Sequence, residues 1–339
     1  MKAGLELNRE QVLAHRRRVG ALDARLPRGG DSLREAAWVG LTDSGPRAAL
    51  LSIHARVEGT APSAWQDPAL VQLWGPRFSA YAVAAQDRGV FSLGRHPVDE
   101  GRRRFAEDLA ERLDALLDGR EMPYGDAGRA LGEHHNQFRY AATTGRVLIR
   151  WDGARQPVIR TVPPPETGAG EARLELVRRY LHVLGPATVA GFRRWAGVSA
   201  RAAATTFDAL GPELTAVRTD VGDSWILARD ETGLRTPAAP EASARLLPAG
   251  DAYFLLWGRD RELLVPDGGR RAALWTSRVW PGAVLVDGEV VGTWRRADEK
   301  VVVSPWGAWA ATAREAVEQE AAALPLPGLR SRITVRWDD

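Results

Sequence analysis

The 339-residue sequence contains no cysteine. That absence removes disulfide frameworks, thiolate catalysis and cysteine-ligated zinc together, and it sets the expectation of a cytoplasmic protein. Lysine is almost missing too: of 46 Lys+Arg, only Lys2 and Lys300 are lysine. A Schiff-base mechanism needs a desolvated lysine of depressed pKa, and only Lys300 could serve, so covalent amine chemistry is not expected. No uninterrupted apolar run approaches the roughly 20 residues of a membrane span, and the start MKAGLELNREQ lacks the apolar core of a signal peptide. No GxGxxG, GxxxxGKS/T or GxSxG occurs, so dinucleotide, P-loop and α/β-hydrolase sites have no support. An excess of one charge is missing as well: the net charge is +3, which gives no global basic field.

What remains is an ordinary globular composition, 45% hydrophobic and 26% charged, in a chain long enough for several domains. The cations are overwhelmingly arginine, whose planar fork suits phosphate oxygens and guanine edges. Codon bias in a GC-rich genome accounts for most of that excess, so its meaning depends on where the arginines fall.

Residues 174–229 are the most informative stretch. In LELVRRYLHVLG, Leu174, Val177, Leu181 and Leu184 recur at three- and four-residue steps and form one apolar stripe. Gly185-Pro186 ends that helix. A short helix, VAGFRRWAG, follows, with Phe192 and Trp195 three apart. Ser199 is placed to cap SARAAATTFDALG, which occupies the position of a recognition helix. After Gly211-Pro212, LTAVRTD and SWILARD alternate as a hairpin around Asp220-Val221-Gly222-Asp223. This order is that of a winged helix; the alternative is a small helical subdomain with an accidental hairpin.

Two further segments look similar. Residues 1–97 open with a polar, arginine-rich helix, NREQVLAHRRRVG. A Gly-Gly turn follows, with Asp31 or Ser32 as the next cap. A strongly apolar helix (PRAALLSIHARV), a short helix (DPALVQLWG) and a hairpin of FSAYAVAAQ with GVFSLG complete the segment. Residues 98–165 carry a helix with Phe105, Leu109, Leu113 and Leu116 on one side, then a hairpin of VLIRWDG with QPVIRTVP. The linkers PPPETGAGE and RTPAAPEA bound a third unit, 166–238. Residues 239–339 turn β-rich: AYFLLWG, ELLVP, AVLVDGEVVGTWRR around Asp287-Gly288, VVVSPWG and a final SRITVRWDD, with one amphipathic helix at 308–323. The fold class read from this order is α+β, with tandem winged-helix units followed by a C-terminal β-rich, barrel-like domain.

The six histidines form no metal-spacing array. His134 and His135 are adjacent and on a helix would point about 100° apart; His54 lies on an apolar helix as a packing residue. The arginines say more. Arg193, Arg194 and Arg201 lie on or beside the recognition helix, and Arg146, Arg150 and Arg160 lie in the second hairpin, where wings hold phosphates. A solvated arginine face is the competing reading for each one singly.

These residues carry a resemblance. GLTDSGPRAALLSIHARVEG, AATTGRVLIRWDG, ELVRRYLHVLGPATVAGFRRWAG and LVDGEVVGTWR resemble, in order and over nearly the whole chain, the AlkZ/YcaQ-like family of winged-helix DNA glycosylases. The resemblance implies tandem winged helices and a β-barrel cupped around double-stranded DNA. It also implies monofunctional excision of bulky N-alkylated purines or unhooking of interstrand crosslinks, with which the scarcity of lysine agrees. The family's Gln-x-Gln pair, which positions water against the developing oxocarbenium, falls here on Thr42-Asp43-Ser44. Thr42, Asp43 and Ser44 are therefore the candidate catalytic residues, with Asp43 the nearby carboxylate able to act on water. Alternatively, Asp43 and Ser44 form a turn and cap the next helix. Trp38 and Trp65 nearby are pocket walls or, by the reading preferred from sequence, core. No cofactor, metal, membrane or obligate protein partner is expected, and the chain is expected to be a monomer. Two other functions stay open: a non-catalytic DNA or lesion binder, and a transcriptional regulator, against which the β-rich end and missing dimerisation helix count.

Overall fold

The computed structural model describes residues 5–338 apart from Pro46, Ala154, 237–243, Asp298 and 329–331. The chain opens with β1 (Leu5–Leu7) and α1 (Arg9–Val19), which Asn8 and Gln11 start with a reciprocal capping box. α1 is polar in sequence but interior in fact. Arg16 is 1% exposed and donates to the carbonyls of Gly185 and Pro186, while buried Arg17 pairs with Asp23 at 2.8 Å. α2 (Gly30–Ala36) begins at Gly29 with no side-chain cap, so neither Asp31 nor Ser32 has that role.

β2 (Leu41–Thr42) and α3 (Ala48–Arg56) follow, then β3 (Leu70–Trp74), β4 (Ala80–Ala84) and α4 (Arg88–Leu93). Two expectations reverse here. The VQLW run is a strand, not a helix, and GVFSLG is a helix, not the second arm of a hairpin. Both lie buried between other elements, and a segment covered on several sides shows neither a 3.6 nor a 2.0 period.

The next elements are α5 (Glu100–Leu117), β5 (Met122–Pro123), α6 (Tyr124–Leu131), α7 (Phe138–Ala141), β6 (Val147–Arg150) and β7 (Val158–Thr161). The strands from both sides of residue 97 join one six-stranded sheet, β2-β4-β3-β6-β7-β5, linked through Gln72 opposite Ile149. The stripe of α5 runs through Ala106, Leu109, Ala110, Leu113 and Leu117. Phe105, expected on that stripe, stands 40% exposed one residue off it.

α8 (Ala169–Leu184), α9 (Val189–Ala196) and α10 (Ala200–Ala209) precede the antiparallel pair β8 (Leu214–Thr219) and β9 (Gly222–Leu227), and α11 (Glu231–Arg235) closes this stretch. Thr188 and Ser199 cap α9 and α10 through their hydroxyls. Tyr180, Phe192, Trp195 and Phe207 lock the three helices together, with Tyr180 and Trp195 ring centroids 5.0 Å apart. Phe192 is fully buried, so Phe192→Ala would cost about 3–5 kcal/mol. The chain start returns here: β1 runs parallel to β8.

The remainder comprises β10 (Ala244–Leu247), α12 (Arg259–Leu264), α13 (Gly268–Leu274), β11 (Gly282–Val286), β12 (Glu289–Ala297), β13 (Lys300–Pro305), α14 (Ala311–Ala322) and β14 (Thr334–Trp337). AYFLLWG and ELLVP, expected as strands, contain a 3-10 turn at Ala252–Phe254 and helix α12. Asp287 and Gly288 both take the left-handed backbone that the tight β11–β12 turn demands. The five strands form an open sheet, β10-β11-β12-β13-β14, with β14 parallel to β13. Its ends do not pair, so among the described residues the barrel expected from sequence is not closed. α14 covers one face, burying Val317 and Ala321 against Leu246, Val284 and Val301.

Candidate active site and nucleic-acid interface

Thr42, Asp43 and Ser44 run from the edge strand β2 toward α3, and sheet register decides what each does. The Thr42 hydroxyl donates to the Gly250 carbonyl at 2.7 Å. Asp43 is 6% exposed: one carboxylate oxygen accepts from the Ala49 backbone N–H at 3.1 Å, and the other accepts from the Gln72 amide. Gln72 is held by the Trp151 backbone, accepting its N–H at 2.7 Å and donating to its carbonyl at 3.0 Å. Ser44 is exposed. Asp43 thus satisfies the start of α3 and also carries a perturbed acid. Burial pushes its pKa up from 3.8 to about 6, against the pull of the Ala49 N–H, Gln72 and the Arg47 charge. The approach of Gln72, 29 residues downstream, is not visible in sequence because only the β3–β4–β2 register brings it there.

The second feature is a groove of about 950 Å³ between the β3–β4 turn, α9, the β8–β9 hairpin and residues 257–260 at the start of α12. Arg77, Arg193, Arg194 and Arg259 line it. All four are exposed, and none forms an ion pair among the described residues. Arg193 and Arg194 are legible in the sequence; Arg77 and Arg259 are not, because they reach the groove only through the fold. Burial lowers the pKa of neighbouring Arg261, with the charges of Arg194 and Arg77 adding to the effect, so like charges are held close together. Two carboxylates also line the groove: Asp223 on β9, paired with Arg218 at 2.8 Å, and Asp260 at the start of α12, whose carboxyl burial raises above its usual range.

The β3–β4 turn is held firmly in position. Arg77 and Phe78 both have left-handed φ, +57° and +60°, a conformation that costs a non-glycine residue about 1–2 kcal/mol. Surrounding groups secure it. Buried Arg95 donates to the Ala196 carbonyl at 2.8 Å and the Trp74 carbonyl at 3.1 Å while its guanidinium lies 4.8 Å from the Phe78 ring. Gly197, at φ +72°, abuts the Arg77 backbone so closely that a Cβ would sit 3.1 Å from Arg77 Cα. Arg77 in turn lies over the Trp257 ring at 4.8 Å.

The other arginines indicated by sequence scatter. Arg150 pairs with Glu121 at 2.9 Å and lines a separate cavity of about 820 Å³ with Arg47, Arg155 and Trp65. Trp65, preferred as core from sequence, is instead a wall of that cavity, with the Arg47 guanidinium 4.2 Å above its ring. Trp38 packs against the core beneath Arg179, at 4.0 Å. Arg146 is tied to Asp114 at 3.2 Å; Arg160 is half-buried, and Arg201 is exposed on α10 outside both cavities.

Histidine spacing conceals one cluster. Ligand atoms of His15, His182 and Asp230 lie within 4.8 Å of one another. His15 Nε2 meets the His182 carbonyl at 3.0 Å, His182 Nδ1 meets Asp230 at 2.9 Å, and Arg18 lies 3.5 Å from His15 Nδ1. Burial drops His15 to about 4, and these hydrogen bonds tie α1, α8 and the start of α11 together. His134 and His135 sit at a 3-10 start rather than on one α-helix, and their rings stack at 4.4 Å.

Fold and site together define an α+β protein that presents, in one groove, arginines without an ion pair among the described residues, apart from a buried acid at the 42–44 motif. The family model "DNA glycosylase AlkZ-like" matches residues 35–325. The "Interstrand DNA cross-link repair glycosylase" of Streptomyces sahachiroi is 32% identical over 262 residues, covering 69% of this chain and 69% of that protein. The solved structure of Streptomyces sahachiroi DNA glycosylase AlkZ superposes with a TM-score of 0.78 at 22% identity, over 98% of this chain and 100% of that one. The chain belongs to the DNA glycosylase AlkZ-like family.

Proposed function

We propose that this protein is a monomeric, monofunctional DNA glycosylase that hydrolyses the N-glycosidic bond of bulky alkylated or crosslinked purines in duplex DNA. In this reading residues 169–227 are a winged helix, with α10 as recognition helix and β8–β9 as wing, and Arg193 and Arg194 grip phosphates. The observation that carries it, within the family, is the groove with four arginines that form no ion pair among the described residues, since guanidinium charge not spent on carboxylates in one concavity matches phosphate oxygens. A water nucleophile is favoured over an enzyme amine because Lys300 stands exposed on β13.

Asp43 is the candidate for acting on that water. With its pKa pushed up to about 6, it is largely ionised at neutral pH yet far more basic than an ordinary aspartate. Gln72 would orient it, and Thr42 and Ser44 would border the sugar. A lesion-binding role without catalysis is the second reading. The specific observation favouring it is that the Thr42 hydroxyl and both Asp43 oxygens already have protein partners.

Release of base from 7-methylguanine DNA and from crosslinked duplex separates the two. Wild type is expected to release base, and Asp43→Asn to slow it by about 100-fold or more. Equal release by the variant would remove Asp43 from the mechanism. No release by wild type, with salt-dependent duplex binding retained, would sink the glycosylase reading for those substrates.

A further inference from the structure

The groove continues into an aromatic row that duplex-phosphate binding does not use. Phe78 lines the groove at the β3–β4 turn, and its ring centroid lies 5.0 Å from that of Tyr140. Tyr140 is followed by Phe105 at 6.2 Å. Tyr140 and Phe105 are 43% and 40% exposed, on α7 and α5, where their neighbours Ala141 and Ala106 face the core. Exposed aromatics adjoining arginines free of ion pairs are the two components of a single-strand site. Cations track the backbone, and ring faces stack on bases that have lost their own neighbours. An intact duplex offers the phosphates but no open base faces.

We infer that Tyr140 and Phe105, the exposed members of a row of edge-to-face rings that starts at Phe78, offer separate stacking faces to an unpaired stretch of DNA strand, whose phosphates run along Arg77, Arg193, Arg194 and Arg259. The inference rests on the reading that this protein acts on DNA, and it adds that the DNA is opened where it meets the β3–β4 turn. That turn suits the role because Arg95, Gly197 and Trp257 hold it rigidly, so binding requires no ordering of the tip.

The test compares binding of three probes to the full chain at one fixed salt concentration: a single-stranded oligonucleotide, the matching duplex, and that duplex with a central unpaired bubble carrying 2-aminopurine. Tyr140→Ala is expected to weaken single-stranded and bubbled DNA by about tenfold and leave the duplex unchanged, with Phe105→Ala acting in the same direction. Tyr140→Phe keeps the ring and should bind as wild type. Arg193→Ala should weaken all three probes. The 2-aminopurine signal should quench on binding wild type and recover in Tyr140→Ala. Equal losses on duplex and single strand, or no loss on either, would overturn this stacking role. These readouts need no chemistry, so a protein that never releases base can still satisfy them, whereas one that binds no DNA fails both proposals.

Discussion

Burial sets the chemistry of Asp43, and the consequence is a pH dependence with a definite sign. Its folded pKa of about 6 stands above the ordinary 3.8, so in the window between those values the native state holds a proton that the unfolded chain has released. The stability this group contributes is complete below the ordinary value and is lost as pH rises through about 6. A rise of that size corresponds to at most about 3 kcal/mol. Urea denaturation of wild type and Asp43→Asn should show the variant gaining on wild type as pH rises from about 4 to about 7. A difference that stays flat would mean that Asp43 is not desolvated. Asp251 shows the opposite outcome of burial. Desolvation would raise it, but the Arg56 charge, a bidentate pair at 2.7 and 2.8 Å, and the Ser52 hydroxyl hold it below its usual range. Two buried carboxylates bonded to the same apolar helix, α3, thus differ by whether an arginine pairs with them directly.

Among the elements, those with their own start and stop signals are legible in the sequence. Ser199 caps the helix its position suggests, and Asp287-Gly288 makes the turn between β11 and β12, whereas neither Asp31 nor Ser32 caps α2. Short apolar runs are not. VQLW and GVFSLG exchange strand for helix, and the first three residues of ELLVP end α12, because burial on several sides erases the pattern that separates the two periods. The β3–β4 turn is hidden for another reason: PRF contains no glycine at its left-handed positions, and the groups that hold it come from Arg95 and Gly197. Gly197→Ala tests that support. The left-handed φ of +72° and the 3.1 Å approach to Arg77 predict a destabilisation of about 1–2 kcal/mol in urea unfolding. Weaker DNA binding through the displaced turn should accompany it. Normal stability together with normal binding would show that the turn does not depend on Gly197.

For the molecule as a whole, the net charge of +3 conceals a local concentration of cations. Many arginines serve structure: Arg16, Arg17, Arg56, Arg95, Arg179 and Arg245 are buried on carbonyls or carboxylates. Those in the groove form no ion pair among the described residues, and they should govern the salt dependence of DNA binding. Replacing Arg193 and Arg194 together by alanine is expected to make the slope of log K against log salt shallower by about 2, since each phosphate no longer neutralised removes about 0.9. An unchanged slope, measured by anisotropy from low to moderate salt, would mean that phosphates do not lie in this groove.

The sequence by itself determined what is written in local chemistry. It excluded cysteine thiol chemistry by composition and left Lys300 as the one candidate amine, marked the three helices and hairpin at 169–227 by caps, breakers and periodicity, and carried the family resemblance in short ordered runs. Only the tertiary structure decided which side chains meet. Gln72 reaches Asp43 across three strands, Arg77 and Arg259 join Arg193 and Arg194 from distant segments, and Phe105 and Tyr140 stand out beside Phe78. The reason is that capping and turn chemistry act within a few residues, while desolvation, charge clustering and ring stacking depend on distances in space that chain separation does not encode.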